Sequence, residues 1–576
     1  MAVVSKNKTS ESRKVMIMKK NNGSVLEKRK KQITSNSLIL IFCLIFLYFG
    51  IESVIFAVMT DGNSFRGMLF HNGVYTDWFM DFFNSIRDSA ASNVYSERNS
   101  VYPPLAVAFF RFIGRMLPYA EVALDPRDNY DMQESQLCIM YYLLFAITMV
   151  VITYRCILKK VNTREDKTSR RLAELFAFLS IFSYPLVYCL ERGNIVAASV
   201  ALSVVFVFFR NSENKVIREL SLICLALAAG LKLYPAIFGV LLLFDKKYKQ
   251  AIRLVVYGIL AVVIPFVLIS TIPAPVQTSR EQLIAQRQHL SEANKYGALD
   301  RAAAEKKEAD EKAKADSADS NDSADNKNSS SDSDSTPKAS SEVSVLKMAA
   351  NMFNFKKTLA MNLSSVSIQN LSFICEKIAN ACDYAINVGK SDAVANLGKF
   401  GQKILVFDYS NVAFTSMIVT ELMAVVILFI LKKPWQRSFI LCYLFLNIPT
   451  FSSSYALWFL IIPLVLFLFD KNLKVRTKTD RFMTVLFALL FSPIPTFMAF
   501  DDGAIIFFCQ VALKMSYNSK VNQLIATPVF QLMFLVLTIQ AIAAVVKFIK
   551  ERKNKKSEPV VEATEAAPEP SEPAQA

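Results

Sequence analysis

The chain is built from long apolar runs separated by short polar blocks. Runs at 37–59, 136–158, 251–270, 412–431 and 528–549 are each roughly 20 residues, enough for a helix to cross a hydrocarbon core. Shorter runs lie at 173–190, 195–209, 439–451, 456–469 and 482–500. The polar blocks between alternate runs are basic: KKVNTREDKTSRR (159–171), RNSENKVIRE (210–219), DKKYKQAIR (245–253), KKPWQR (432–437), DKNLKVRTKTDR (470–481) and KERKNKK (550–556). Loops rich in Lys and Arg stay on the cytoplasmic side of a membrane. The pattern predicts an all-α polytopic membrane protein with about ten full crossings and both termini cytoplasmic.

Two stretches break the pattern. Residues 102–117 are apolar but form only about 24 Å of helix, and they carry Arg111 and Arg115. An arginine at mid-membrane costs about 2.5 kcal/mol or more. This predicts a surface or partly inserted helix with Pro103 and Pro104 in its first turn; the alternative is a short span sheltered by a bundle. If the stretch does not cross, the basic block 159–171 falls inside. Residues 220–244 are long for one span and are interrupted by Gly230, Lys232 and Pro235, with basic blocks on both flanks. Two half-helices turning at LKLYP place both flanks on one side, and such breaks are tolerated where they line a protein cavity. The other solution is a single kinked span with Lys232 snorkelling.

These assignments divide the chain into a basic cytoplasmic tail (1–36), an N-terminal membrane module (37–271) with an outer loop at 60–135, an extracytoplasmic segment (272–408), a C-terminal membrane module (409–549) and a cytoplasmic tail (550–576). Residues 1–36 carry ten Lys or Arg, which suits contact with anionic lipid. Residues 300–342 contain no Leu, Ile, Val or aromatic residue, so this insertion cannot bury a core and is expected to be disordered. The Pro/Glu/Ala composition of the last residues predicts the same there. MNLSSVSIQNLSF (361–373) mixes polar and apolar residues. It reads as a segment dipping toward the bilayer or as an amphipathic surface helix.

Composition changes this picture little. The 576 residues are 53% hydrophobic with 45 Phe, and mean hydropathy is +0.32. The net charge of +16 sits in the blocks between spans, so it reports topology and implies no nucleic-acid partner. His71 and His289 are the only histidines; no His-rich metal site can be built, and no metal or cofactor is expected. The nine cysteines form no CxxC pair and are expected as small buried residues. Phosphate-loop, dinucleotide, HExxH and GxSxG signatures are all missing. No clear internal repeat supports a transporter made of duplicated halves, and charges in or beside the apolar runs are few beyond Arg111, Arg115, Arg155 and Lys232. What remains is a helix bundle that could be a channel, a transporter or flippase of a lipid-linked sugar, or an enzyme using a lipid-linked substrate.

Candidate chemistry concentrates in Thr76 to Leu105, which follows the first span and reads TDWFMDFFNSIRDSAASNVYSERNSVYPPL. On a helix, Asp77 and Asp81 share one face. Trp78, Phe79, Phe82 and Phe83 would lay that helix on a membrane surface. A carboxylate pair there can take a proton from a hydroxyl held at the bilayer edge. Acids on a polar face also serve simply to keep a helix solvated.

TDWFMDFF, NVY (93–95), VYPPL (101–105), ERGN (191–194), GLKLYP (230–235), SIQNLS (367–372) and SSSYALWFLIIPL (452–464) follow one another in that order. The ordered set, from about residue 40 to 470, resembles glycosyltransferase family 87 of the GT-C superfamily. The late box departs from the pattern, with Ser and Tyr where such proteins often have a His, and the 300–342 insertion is extra. The resemblance implies a GT-C-like helix bundle with partly inserted helices and outer-face loops in the plasma membrane. It implies transfer of a sugar, mannose first, from a polyprenyl-phosphate donor to a glycolipid or polysaccharide acceptor, on the extracytoplasmic face and with inversion at the anomeric carbon. Donor, acceptor and membrane lipid are the expected partners. Asp77 is then the general base and Asp81 its reserve or an orienting acid. Tyr102, Arg192, Asn194, Lys232, Tyr234, Gln369 and Asn370 become substrate-binding residues, with Lys232 and Arg192 facing the departing phosphate.

Overall fold

A computed structural model describes residues 36–69, 78–91, 94–97, 100–117, 132–133, 135–162, 166–271, 366–368, 409–447, 453–470, 476–495 and 521–557. The tail before residue 36, the 300–342 insertion and the chain after 557 lie outside the described residues. Among those residues the regular elements are helices: α1 (Asn36–Met59), α2 (Asn63–Leu69), α3 (Met80–Ser89), α4 (Val94–Glu97), α5 (Pro104–Met116), α6 (Gln136–Val161), α7 (Lys167–Ser180), α8 (Tyr184–Glu191), α9 (Val196–Phe209), α10 (Lys215–Leu231), α11 (Val240–Phe244), α12 (Tyr248–Thr271), α13 (Tyr409–Ile430), α14 (Pro434–Asn447), α15 (Ile461–Leu468), α16 (Lys478–Phe491) and α17 (Val521–Ser557). Short 3-10 turns, Tyr234–Gly239 and Ser454–Leu460, lead into α11 and α15. Among the described residues, five stretches are long and apolar enough to cross a membrane: α1, α6, the α7–α8 pair (Lys167–Glu191), α12, and Asn522–Arg552 of α17. Shorter apolar helices are Val196–Phe209, Tyr234–Phe244, Thr415–Ile430 and Ser454–Leu468.

Local chemistry starts several of these helices. Asn214 accepts from the Val216 and Ile217 amides at the head of α10, and Thr477 with Asp480 forms a capping box on α16. Each such cap contributes about 1 kcal/mol.

One end of the bundle is basic. Lys159 and Lys160, at the end of α6, lie 5.0 and 5.9 Å over the rings of Phe209 and Phe208. Arg210 pairs with Asp245 at 3.0 Å, and Asn211 donates to the same carboxylate at 3.1 Å. Arg437 sits 4.0 Å over Phe244. Four of the six basic blocks thus gather at one end, as the positive-inside pattern groups them.

That end decides how 220–244 runs. Asp245 touches Arg210 and Asn211, so the chain climbs through α10 and returns to the end it left. The α-helix stops at Lys232, whose φ −145° and ψ 127° are extended, and Pro235 opens the 3-10 turn that follows. Two half-helices meet at LKLYP; a single kinked span is excluded. The 14-residue helices α9 and α14 rise only about 20 Å, short of a hydrocarbon core about 30 Å thick.

Helix α5 packs against α3, α10 and α12. It begins against Gly230, where a Cβ would stand 2.8 Å from Leu105 Cδ2 and 3.2 Å from the Ala261 carbonyl. Arg111 is buried and donates to the Ser89, Ala91 and Ile269 carbonyls at 2.9, 2.8 and 3.0 Å. Three main-chain acceptors offset the cost that argues against burying this arginine, and they pin α5 to the ends of α3 and α12.

The largest core cluster packs α9, α14, α15 and their neighbours around Trp435, Trp458 and Phe439. A second unites Phe82, Phe83, Ile86, Phe110 and Tyr142. This corrects the membrane-surface reading of the aromatic stretch: Phe82 and Phe83 are buried, because α5 and α6 cover them. Rings of Phe110 and Tyr142 meet Phe82 at 5.5 and 5.2 Å. Among the described residues, Cys43, Cys138, Cys189, Cys224 and Cys442 are buried free thiols, as expected of small core residues.

Candidate active site

The site starts from the backbone of Phe79, which takes a left-handed conformation at φ 58° and ψ 15°. Helix α3 therefore begins only at Met80. Asp77, Gln369 and Asn370 lie outside the described residues. Asp81 occupies the first turn of α3.

The start of α3 is clasped by the ERGN turn. Phe79 N–H donates to the Glu191 carbonyl at 2.7 Å, and Asp81 N–H donates to the Arg192 carbonyl at 2.9 Å. Gly193 sits at φ +66°, and a Cβ there would lie 2.8 Å from the Phe79 carbonyl oxygen and 2.9 Å from Phe82 Cβ. Both the conformation and the close approach require glycine.

With the two backbones locked, side chains converge. Arg192 Nη2 meets Asp81 Oδ1 at 2.6 Å, and Asn194 Nδ2 donates to Asp81 Oδ2 at 2.7 Å. The same Asn194 amide group lies 3.0 Å from Tyr455 Oη, while Asn194 Oδ1 accepts the Val196 N–H at 3.0 Å. Side-chain exposure is 13% for Arg192 and 21% for Asp81, so this charge-assisted pair is largely shielded from solvent and stronger than a surface pair.

Lys232, at the α10 break, places Nζ 4.2 Å over the Tyr102 ring. A shielded cation over an aromatic face contributes about 0.5–2 kcal/mol. Lys232 also feels the Asp81 carboxylate. Ser85, one turn beyond Asp81, donates its hydroxyl to the Asp81 main-chain carbonyl at 2.5 Å. Burial pushes the Tyr102 phenol above its ordinary range and the Asp81 charge adds to this, while the Ser85 side chain opposes it. Tyr102 therefore stays protonated and is available as a donor. Tyr234 stacks on Phe445 at 5.1 Å and meets Phe459 edge-on at 5.7 Å. Behind Phe79, an apolar cavity of about 410 Å³ runs between α6 and α8, lined by Tyr142, Ile147, Val151 and Leu190 among others.

The structure thus brings Asp81, Tyr102, Arg192, Asn194, Lys232 and Tyr234 to one region. Arg192, expected to face a phosphate, directs Nη2 at Asp81. Sequence reasoning missed two members. Tyr455 lies inside the quoted box SSSYALWFLIIPL without being singled out, and Ser85 follows Asp81 at helical spacing.

Neither curated proteins nor solved structures give a significant match to the chain. One family does: the model of glycosyltransferase family 87 covers residues 101–294. That stretch contains Tyr102, Arg192, Asn194, Lys232 and Tyr234, whereas Asp77, Asp81 and Tyr455 lie outside it. The boxes VYPPL, ERGN and GLKLYP fall within this match: over residues 101–294 this chain is similar to glycosyltransferase family 87, and the match indicates a glycosyltransferase.

Proposed function

We propose that the chain moves a sugar, mannose in the first place, from a polyprenyl-phosphate donor to a glycolipid or polysaccharide acceptor at the extracytoplasmic face of the plasma membrane. The observation that carries this reading is the convergence of Asp81, Arg192, Asn194 and Lys232 where α10 breaks. It is a polar site enclosed by a helix bundle and lying opposite the basic end. By the positive-inside pattern, that side is extracytoplasmic and both termini are cytoplasmic.

Asp77 is the general base. The acceptor oxygen attacks the anomeric carbon from the face opposite the phosphate, and a new C–O bond forms. Its proton passes to Asp77. The bond from the anomeric carbon to the phosphate oxygen breaks, its electron pair leaves on the polyprenyl phosphate, and the carbon is inverted. Asp81, met by a donor at each oxygen, orients the site instead of accepting the proton. Lys232 stabilises the departing phosphate, a type of interaction that contributes roughly 100- to 1,000-fold to rate. Arg192 adds to it while holding Asp81. Tyr102, Asn194 and Tyr234 shape the sugar pocket, and Gln369 and Asn370 complete it. The apolar cavity behind Phe79 suits an isoprenoid chain.

The test is transfer from radiolabelled polyprenyl-phosphate mannose to a membrane-lipid extract by the purified protein, with Asp77→Asn beside the parent. We expect label in a new lipid or glycan with the parent and at least a 100-fold loss in the variant, the scale of general-base catalysis. Full activity in Asp77→Asn moves the base to Asp81. Absence of transfer with every polyprenyl-phosphate sugar, from folded protein, removes the reading.

A further inference from the structure

A second polar junction lies among α13, α14 and α17. Its centre is Asn447, the fully buried last residue of α14. Asn447 Nδ2 donates to Glu421 Oε1 at 2.8 Å and to Thr420 Oγ1 at 3.4 Å. Asn447 Oδ1 accepts the Ile368 N–H at 2.7 Å and Gln531 Nε2 at 3.5 Å. The Asn447 main-chain carbonyl accepts Ser367 Oγ at 3.0 Å. Gln531 is held in turn by the Tyr443 hydroxyl at 2.7 Å. The short segment 366–368 is thereby fastened to the end of α14.

An amide group donates at one end and accepts at the other, so its orientation decides what it can hold. Glu421 offers an acceptor to Asn447 Nδ2, which turns Oδ1 toward Ile368. The arrangement costs something: Glu421 Oε2 is buried without a hydrogen-bond partner among the described residues. The neighbours of Glu421 on α13, Leu422 and Val426, are exposed on the outside of the bundle. An acid in such a helix is expensive and is a functional candidate for that reason. Helix α14 also connects the junction to the site. Phe445, two residues before Asn447, stacks on Tyr234 at 5.1 Å.

We propose that Glu421 is a positioning residue: acting through Asn447, it docks residues 366–368 on the end of α14 that supports Tyr234, and sugar transfer depends on that docking. The proposal rests on the transferase reading above.

Docking can be measured without activity. Ile368→Cys keeps the backbone bond and reports exposure to a maleimide in the full-length protein in detergent, above the labelling of the parent. Adding Glu421→Ala is expected to speed labelling about tenfold. Glu421→Gln, which retains an acceptor oxygen for Asn447 Nδ2, is expected to leave it within about twofold, whereas alanine loses one buried hydrogen bond. In the transfer assay, Glu421→Ala should raise KM about tenfold at nearly unchanged kcat, and Glu421→Gln should match the parent. Unchanged labelling in Glu421→Ala, or Glu421→Gln as damaging as Glu421→Ala, overturns the proposal. Where Glu421→Ala does not fold, Glu421→Met, of similar bulk and without an acceptor, replaces it in both assays under the same criteria. Labelling that behaves as expected in a protein that transfers no sugar upholds the docking and removes the transferase reading instead.

Discussion

Asn194 and Asn447 perform the same local task in different surroundings. Each gives its amide hydrogens to a carboxylate and its amide oxygen to a main-chain N–H: Asp81 and Val196 for one, Glu421 and Ile368 for the other. The difference is the arginine. Asp81 has Arg192 at 2.6 Å, whereas Glu421 keeps one oxygen without a partner among the described residues. The first junction holds charges poised beside Lys232, and the second holds only a segment of chain. The contrast shows how one side chain becomes chemistry in one place and carpentry in another: what matters is whether a compensated charge stands next to it.

The sharpest way to break this comparison is to remove the arginine. Arg192→Ala leaves Asp81 largely shielded without its ion partner, a change that costs about 3 kcal/mol or more for a buried pair. Transfer should fall at least about 100-fold, far beyond the tenfold expected at position 421, and thermal stability should fall with it. Equal losses at the two positions would mean that the ion pair is scaffolding like its neutral counterpart.

Gly193→Ala comes next. It forces a side chain into a positive-φ position, a strain of about 1–3 kcal/mol, and drives Cβ against the Phe79 carbonyl. Lower yield of folded protein and weaker transfer should appear together in a melting curve and the transfer assay. Unaltered behaviour would show that the ERGN turn does not need the clasp on α3.

Tyr455→Phe is the mildest test. It deletes the hydroxyl that meets Asn194 at 3.0 Å and leaves Asp81 with both donors. About 1 kcal/mol, or roughly a fivefold drop in kcat/KM, is expected for one lost hydrogen bond. A much larger drop would give Tyr455 a direct role on substrate.

Much of this protein follows from its sequence alone. Apolar runs of sufficient length make helices that cross a membrane, and basic blocks collect at one end, because both depend on local composition. Lys232 between Gly230 and Pro235 reads as a break because each residue acts on its own turn of helix. Arg192 and Asn194 stand out through the ERGN box and Tyr234 through GLKLYP, within the stretch that matches the family. Tertiary structure decided what these residues touch. Asp81 meets Asn194 across 113 positions, and Asn194 meets Tyr455 across 261, separations that no helical period encodes. Phe82 and Phe83 were free to face lipid until α5 and α6 packed over them. Arg111 was a cost until three carbonyls from other elements closed on it. The return of the chain after Lys232 became clear only through Asp245 and Arg210. Composition specifies which segments leave water; the pairing of buried polar groups depends on which helix ends come to one depth, and that is a property of the packed bundle.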